Sequence, residues 1–354
     1  MSQMVAGGKV RGGDLGSMRR VRGWLLVLAG LVAVMAAIGG ATRLTGSGLS
    51  ITEWEVVKGV VPPLSAADWN AVFAKYKQIP QYQRVNAGMS LEAFKTIYWW
   101  EWGHRAFGRA LGLCFVIPAV WFWLRGAISN GLALRLAGIL AIGGLQAFIG
   151  WFMVQSGLVD RVSVSPVRLA MHLTLAVVVL GLLLWTALGL GRPQATIRRA
   201  RSPLSLGAAL LVALVLAQIV LGAFVAGLKA GLSYNTWPLM DGRLVPNGLG
   251  TLAPWYLNLV ENVTTVQFNH RMAAYALLVA ALWQAARAAR LVPDTGVART
   301  ARLLAIIVAL QALLGIWTLL AGVPIALGLA HQMGALAVFA LAVWHLHAVV
   351  RPAD

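Results

Sequence analysis

The chain has 354 residues, of which 59% are hydrophobic and only 11% charged, with a mean hydropathy of +0.76, which excludes an ordinary soluble domain and describes a polytopic membrane protein. Its formal net charge of +18 would suit a nucleic-acid binder, but the basic residues sit in short segments between apolar runs, where the positive-inside bias collects them. The single cysteine, Cys114, lies inside an apolar run; it excludes an internal disulfide and a thiolate metal cluster, and reads as a small buried apolar side chain.

Residues 1–23 are Gly-rich and basic (Lys9, Arg11, Arg19, Arg20, Arg22) and read as a disordered cytoplasmic tail. Trp24 to Ala41 is the first span. Its small-residue end also resembles a signal peptide cleaved near Ala36 or Ala41, a reading set aside because the second half of the chain repeats the residues beyond that point. Residues 45–95 make a long outer loop. Within it Ser65 and Asp68 have the form of a capping box, and Trp69, Val72, Phe73 and Tyr76 recur at helical spacing until Pro80 closes the pattern. An amphipathic helix on the outer membrane face is therefore expected. Ser90, with Glu92 just behind it, starts the next span. The loop then either roofs whatever that span binds or lies on the surface without a part in the chemistry.

Further spans fall at 96–124, 132–154, 166–190, 204–228, 263–286, 301–321 and 324–350, each close to the roughly 20 residues that a bilayer needs. Arginines gather in the amino-terminal tail, at Arg125 and Arg135, at Arg192, Arg198, Arg199 and Arg201, at Arg287, Arg290, Arg299 and Arg302, and at Arg351. These are alternate loops, which predicts that both termini are cytoplasmic.

An internal repeat appears when the chain is folded near residue 200. Leu145-Gln146-Ala147-Phe148-Ile149-Gly150 recurs as Leu310-Gln311-Ala312-Leu313-Leu314-Gly315, His104-Arg105 as His270-Arg271, and Gly48-Leu49-Ser50 as Gly231-Leu232-Ser233, while His172 corresponds to His331. Four spans per half is an even number, so the repeat is parallel, unlike the inverted repeats of many transporters. The expected architecture is all-α, with two four-helix bundles over residues 24–190 and 204–350 joined by a cytoplasmic linker at 191–203.

Only six histidines occur, and four of them, His104, His172, His270 and His331, stand a few residues into spans that enter from outside. At 1.5 Å rise per residue, a position about seven residues in lies roughly 10 Å below the interface. All four share that depth. An ionisable group there is a functional-site candidate by default. Within each half, two imidazoles can meet across the bundle interior, where bundles build cofactor sites, and paired histidines on facing helices ligate haem iron axially. Zinc would want three or four ligands from one cluster, and neither half offers a further Cys or a well-placed Asp.

Trp99, Trp100, Trp102, Gly103 and Phe107 suit the close approach of helices to a large flat ring, although Trp99 and Trp100 fit an aromatic belt equally well. Arg105 and Arg271 directly follow their histidines and either pair with haem propionates or anchor helix ends. His345 and His347 lie at the inner end of the last span, without counterparts in the first half, and read as interfacial and solvated.

The halves differ chemically. Three residues before His104 stands Glu101, whereas three before His270 stands Gln267, each on the histidine's own helix face. A pair of haems that only carries electrons has no need of a carboxylate, but a reaction that develops positive charge or moves protons does. The first half thus reads as the reaction site and the second as a resident electron-transfer haem.

These residues resemble a known family, the haem A synthases or Cox15/CtaA proteins of cytochrome oxidase assembly. The likeness runs from Gly39-Gly40-Ala41-Thr42-Arg43-Leu44-Thr45-Gly46-Ser47-Gly48, through Glu101-Trp102-Gly103-His104-Arg105 and Asn269-His270-Arg271, to His331-Gln332. The resemblance implies eight spans and two haem sites, and oxidation of the C8 methyl group of haem O to a formyl group by successive hydroxylations. Carried over residue by residue, it makes His104 and His172 the iron ligands of substrate haem O, His270 and His331 those of a tightly held haem b, and Glu101 the catalytic carboxylate. It also implies an electron donor and, as partners, a haem O synthase and cytochrome oxidase assembly proteins; a homo-oligomer stays open. Some bacterial relatives carry cysteine pairs in outer loops. This chain, with Cys114 alone, resembles the cysteine-free mitochondrial and proteobacterial type. The reading from another class is a dihaem cytochrome that oxidises quinol and modifies nothing; a haem-binding chaperone or transporter is a third.

Overall fold

The computed structural model describes residues 15–54, 58–190 and 203–351, and the secondary structure in it is helical. In chain order the helices are α1 (Leu15–Leu44), α2 (Ala66–Tyr76), α3 (Pro80–Arg84), α4 (Leu91–Leu124), α5 (Asn130–Gln155), α6 (Pro166–Gly189), α7 (Ser205–Gly227), α8 (Val263–Leu291), α9 (Gly296–Leu320) and α10 (Ile325–Val350). Among the described residues, eight of these helices, all but α2 and α3, are long and apolar enough to cross a membrane.

Local chemistry sets where several of these helices begin. The side chains of Ser90, Ser129, Asn262 and Thr295 each accept a hydrogen bond from a backbone N–H of the first turn, satisfying a donor that has no partner inside the helix. Pro166 opens α6 at a position where a missing N–H costs nothing. Gly126 and Gly322 follow the ends of α4 and α9 in the left-handed conformation that stops a helix.

The spanning helices pack in two rings of the same order. α1 touches α4 and α6, and α5 touches the same two; α7 touches α8 and α10, and α9 touches those two. Between the rings, α6 meets α7 and α10, and α1 meets α10. One apolar cluster passes through both rings, with Leu25, Leu28, Leu183, Leu211 and Leu304 almost fully enclosed. Polar ties reinforce the seam. Arg43 at the end of α1 donates to the carbonyls of Ala226 and Gly227 at 2.8 and 3.1 Å, and Gln332 of α10 donates to Ala36 of α1 at 2.7 Å. Arg161 and Glu261 form a two-pronged ion pair at 3.2 and 3.1 Å.

A second cluster lies under the long loop that follows α1. Phe73 and Tyr76 of α2 pack on Phe94, Ile97 and Tyr98 at the start of α4, with Leu49 and Val164 beside them. The capping box forms as the sequence suggests: Asp68 N–H donates to Ser65 Oγ while the Asp68 carboxylate accepts from Ser65 N–H. The hydrogen bond that Ser65 Oγ donates to that carboxylate at 2.7 Å, with the one from Ser65 N–H, holds the exposed Asp68 carboxyl below its ordinary pKa.

The structure corrects four expectations. α1 begins at Leu15, inside the stretch read as a tail, because Val21 and Leu25 are fully buried and draw the helix inward; Arg19, Arg20 and Arg22 ride on its exposed side. The expectations for Lys9, Arg11 and the linker arginines lie outside the described residues. Pro80 does not merely close a pattern, since it takes the first position of α3. Cys114 is exposed on the outward face of α4, so it is not a core side chain. His345 and His347 are fully buried, not solvated. His345 sits between Thr300 Oγ1 of α9, 2.9 Å from its Nδ1, and the Gln284 amide nitrogen of α8, 3.1 Å from its Nε2, while His347 meets the Trp185 ring edge-on at 5.1 Å.

Candidate functional site

Each of the four span histidines rests on a glycine of a neighbouring helix. A Cβ built on Gly39 of α1 would stand 3.1 Å from His104 Nε2, one on Gly150 of α5 2.9 Å from His172 Cε1, one on Gly222 of α7 3.1 Å from His270 Cε1, and one on Gly315 of α9 2.7 Å from His331 Cε1. A real Cβ almost never comes as close as at Gly150 and Gly315, and at Gly39 and Gly222 the ring would have to give by a few tenths of an ångström, so the bare backbone lets these rings lie where they do. Gly103, singled out in the sequence for close approach, has open space where its Cβ would be. The glycines that matter are on the partner helices.

Glutamines complete the arrangement. Gln146 donates to the His172 carbonyl at 2.9 Å, Gln218 to the His270 carbonyl at 3.0 Å and Gln311 to the His331 carbonyl at 2.7 Å. The amide nitrogens of Gln218 and Gln311 also lie 3.1 Å from the Nδ1 atoms of His270 and His331. Sequence reasoning did not pick out Gln218 or the role of the repeated Gln146 and Gln311. The signal was available as Gln followed four residues later by Gly, a spacing that puts both on one helix face.

Two of the histidines meet ring to ring. The rings of His270 and His331 are 6.4 Å apart between centroids and nearly perpendicular, at 82°. Two imidazoles on opposite sides of one iron, with bonds of about 2 Å and ring radii of about 1 Å, have centroids about 6 Å apart. The second-half pair therefore fits a shared iron. His104 and His172 stand on α4 and α6, each against the glycine that backs it. Among the described residues no group of three or more His, Cys, Asp or Glu side chains is placed to hold a metal ion.

Glu101 and Arg105 bind the outer loop to α4. The buried Glu101 carboxylate accepts from Ser50 Oγ at 2.8 Å and Ile51 N–H at 2.9 Å, and its other oxygen pairs with Arg105 at 2.6 Å. Arg105 also donates to the carbonyls of Ile51 and Glu53 at 2.9 and 3.0 Å. The second half repeats this with a donor amide in place of the accepting carboxylate. Gln267 donates to the carbonyl of Ala230 at 3.0 Å, and Arg271 to those of Tyr234 and Thr236 at 2.8 and 2.9 Å. Both arginines thus engage loop backbone, and Arg271 Nε is left buried without a partner.

The aromatic residues divide. Trp99 and Trp100 are exposed, in the manner of an interfacial belt, while Trp102 is half-buried and meets Trp99 edge-on at 5.4 Å. Phe107 is half-buried. Between the outer loop and α4 lies a cavity of ≈ 300 Å³ that Tyr98, Arg105 and Arg109 line from the helix side.

Residues 22–343 match the family model COX15-CtaA, described as cytochrome oxidase assembly protein. Among curated proteins the chain is similar to the haem A synthase of Methylobacterium sp. (strain 4-46), 54% identical over 92% of this chain and 91% of that one. It is also similar to those of Parvibaculum lavamentivorans, 50% identical over 93% and 94%, and Agrobacterium fabrum, 51% identical over 92% and 89%.

Gly315→Ala should displace the His331 ring, because its Cβ would fall 2.7 Å from Cε1. Bound haem per protein, read from the reduced pyridine spectrum after purification, should fall by on the order of 10-fold or more. Gly103→Ala, with nothing within 4 Å, should keep wild-type haem. Equal haem in both variants would contradict the packing role of Gly315.

Proposed function

The chain belongs to the COX15-CtaA family, and from that premise we propose that it is a haem A synthase, a multi-pass membrane enzyme that oxidises the C8 methyl group of haem O to a formyl group by successive hydroxylations. The observation that carries this reading is that four histidines are each backed by a glycine of a neighbouring helix, two of them, His270 and His331, ring to ring at 6.4 Å, in a chain about half identical to proteins of that name. In this reading His270 and His331 hold a resident haem b, and His104 and His172 hold substrate haem O. Haem b supplies one-electron redox chemistry when bound. The units of the chain are an amino-terminal reaction bundle over 24–190 and a carboxy-terminal haem b bundle over 204–350, in an inner membrane with both termini cytoplasmic.

Glu101 is the carboxylate we assign to the chemistry. Three donors, from Ser50, Ile51 and Arg105, fix it in place, so its charge needs no reorganisation when positive charge or a proton develops nearby. The aromatic cluster of α2 and α4 closes the outer end of this bundle and keeps water from it. Arg105 and Arg271 hold the loops over the histidine helices, and Arg271 Nε offers a free donor for a propionate oxygen.

Expression in a host that makes haem O but not haem A, followed by chromatography of the extracted haems, tests the activity. Wild-type protein should yield haem A; haem b alone would favour the quinol-oxidising cytochrome. Glu101→Gln keeps size and hydrogen-bonding capacity but removes the charge, and should lower haem A formation by about 10² to 10³ while haem b content stays near normal and haem O accumulates. Near-normal haem A from this variant would return Glu101 to loop anchoring alone.

The orientation has its own check. Asn70 lies exposed on α2, and a cysteine placed there in a Cys114→Ala background should react with a membrane-impermeant thiol reagent in intact spheroplasts. Labelling only after permeabilisation would reverse the topology.

A further inference from the structure

Four residues before each histidine-backing glycine, on the same helix face, stands a residue that looks at the same imidazole helix. Before Gly150 it is Gln146, before Gly222 Gln218, and before Gly315 Gln311. Before Gly39, which backs His104, it is Met35. The pattern breaks at one ligand out of four. The Met35 side chain lies against Gly108, one turn beyond His104 on α4, where a built Cβ would meet its methyl group at 3.2 Å.

The consequences for the rings are visible. His270 and His331 each have an amide nitrogen 3.1 Å from Nδ1, and the carboxamide of Gln311 is wedged against Gly334. His172 has Gln146 on its carbonyl only, with its Nδ1 and the Gln146 Oε1 both buried without a partner. The His104 ring has no hydrogen-bond partner among the described residues. A ligating imidazole is ordinarily held in one tautomer and orientation by a bond from its second nitrogen. The Gln218 and Gln311 amide nitrogens donate to the histidine carbonyl and lie in reach of a bare Nδ1; to accept from Nδ1–H the amide turns over, its oxygen facing the ring, and gives up the carbonyl bond. A methionine sulfur is only a weak acceptor and donates nothing.

On the reading that these four histidines are haem ligands, we propose that Gln218 and Gln311 are positioning residues that make the second site retentive, and that Met35 makes His104 the exchangeable ligand of the first. With no hydrogen bond to hold it, the His104 imidazole would be free to turn away from a bound haem and to return. That exchange lets substrate enter and product depart from the first site, while the haem of the second stays. The same helix positions thus set residence in one half and turnover in the other.

Carbon monoxide combines with ferrous haem only where an axial imidazole has left, so it reads this difference directly. Protein purified with both sites loaded is reduced with dithionite and mixed with carbon monoxide in a stopped-flow spectrophotometer. In wild type the first-site haem should form the adduct and haem b should not. Met35→Gln should slow first-site combination by on the order of 10-fold to 100-fold, while Met35→Leu, which brings no amide, should combine at the wild-type rate. Gln218→Leu should open haem b to carbon monoxide with haem b still present. First-site combination in Met35→Gln at the wild-type rate, or an inert haem b in Gln218→Leu, would overturn the proposal; should Met35→Gln fail to assemble, Gln218→Leu alone decides. A wild-type protein without bis-imidazole low-spin signals by electron paramagnetic resonance would instead overturn the ligand assignment, and the proposal with it.

Discussion

An imidazole inside a bilayer has two requirements: room beside a neighbouring helix, and partners for its nitrogens that water cannot supply. The structure answers the first with four glycines, Gly39, Gly150, Gly222 and Gly315, each on a helix adjacent to its histidine. Much else depends on that choice. Helices α1, α5, α7 and α9 must run close beside the histidine-bearing helices, which fixes the two rings of contacts, and the tie from Gln332 to Ala36 fastens α10 to α1 near Gly39. The second requirement is met unequally, and the inequality separates the two sites.

That inequality has two layers. At the loop end, Glu101 and Gln267 perform the same anchoring task with opposite hydrogen-bond polarity, so a carboxylate is not needed to hold a loop there; an amide does it in the second half. A buried ion pair with Arg105 is a costly way to do the same thing, since the desolvation of both charges offsets much of their attraction. On the proposed function, that charge is the one assigned to the chemistry. At the ring end, the glutamines beside His270 and His331 and the methionine near His104 point the same way, toward a fixed second site and a changeable first.

Much of this was legible in the sequence. Span number and the Ser65–Asp68 capping box come from hydropathy and cap chemistry, both of which act locally along the chain. What failed depends on azimuth or on distant partners. An apolar span does not say which face meets lipid, so Cys114 was placed in the core when it faces outward. Position near a span end does not reveal that Thr300 and Gln284 from two other helices enclose His345. The loop carbonyls that occupy Arg105 and Arg271 come from residues 35 to 54 positions away, beyond any spacing argument. The Gln-to-Gly spacing was present in the repeated hexapeptide, but its meaning appears only once the opposing histidine is in view.

The central claim is that two histidine pairs form two separate haem sites with different contents. The most direct measurement is the haem extracted from two double variants, His104→Ala with His172→Ala and His270→Ala with His331→Ala, made in a host that supplies haem O. The account predicts that the first keeps haem b and loses haem O, while the second loses haem b. Loss of the same haem from both variants, or of neither, would contradict it.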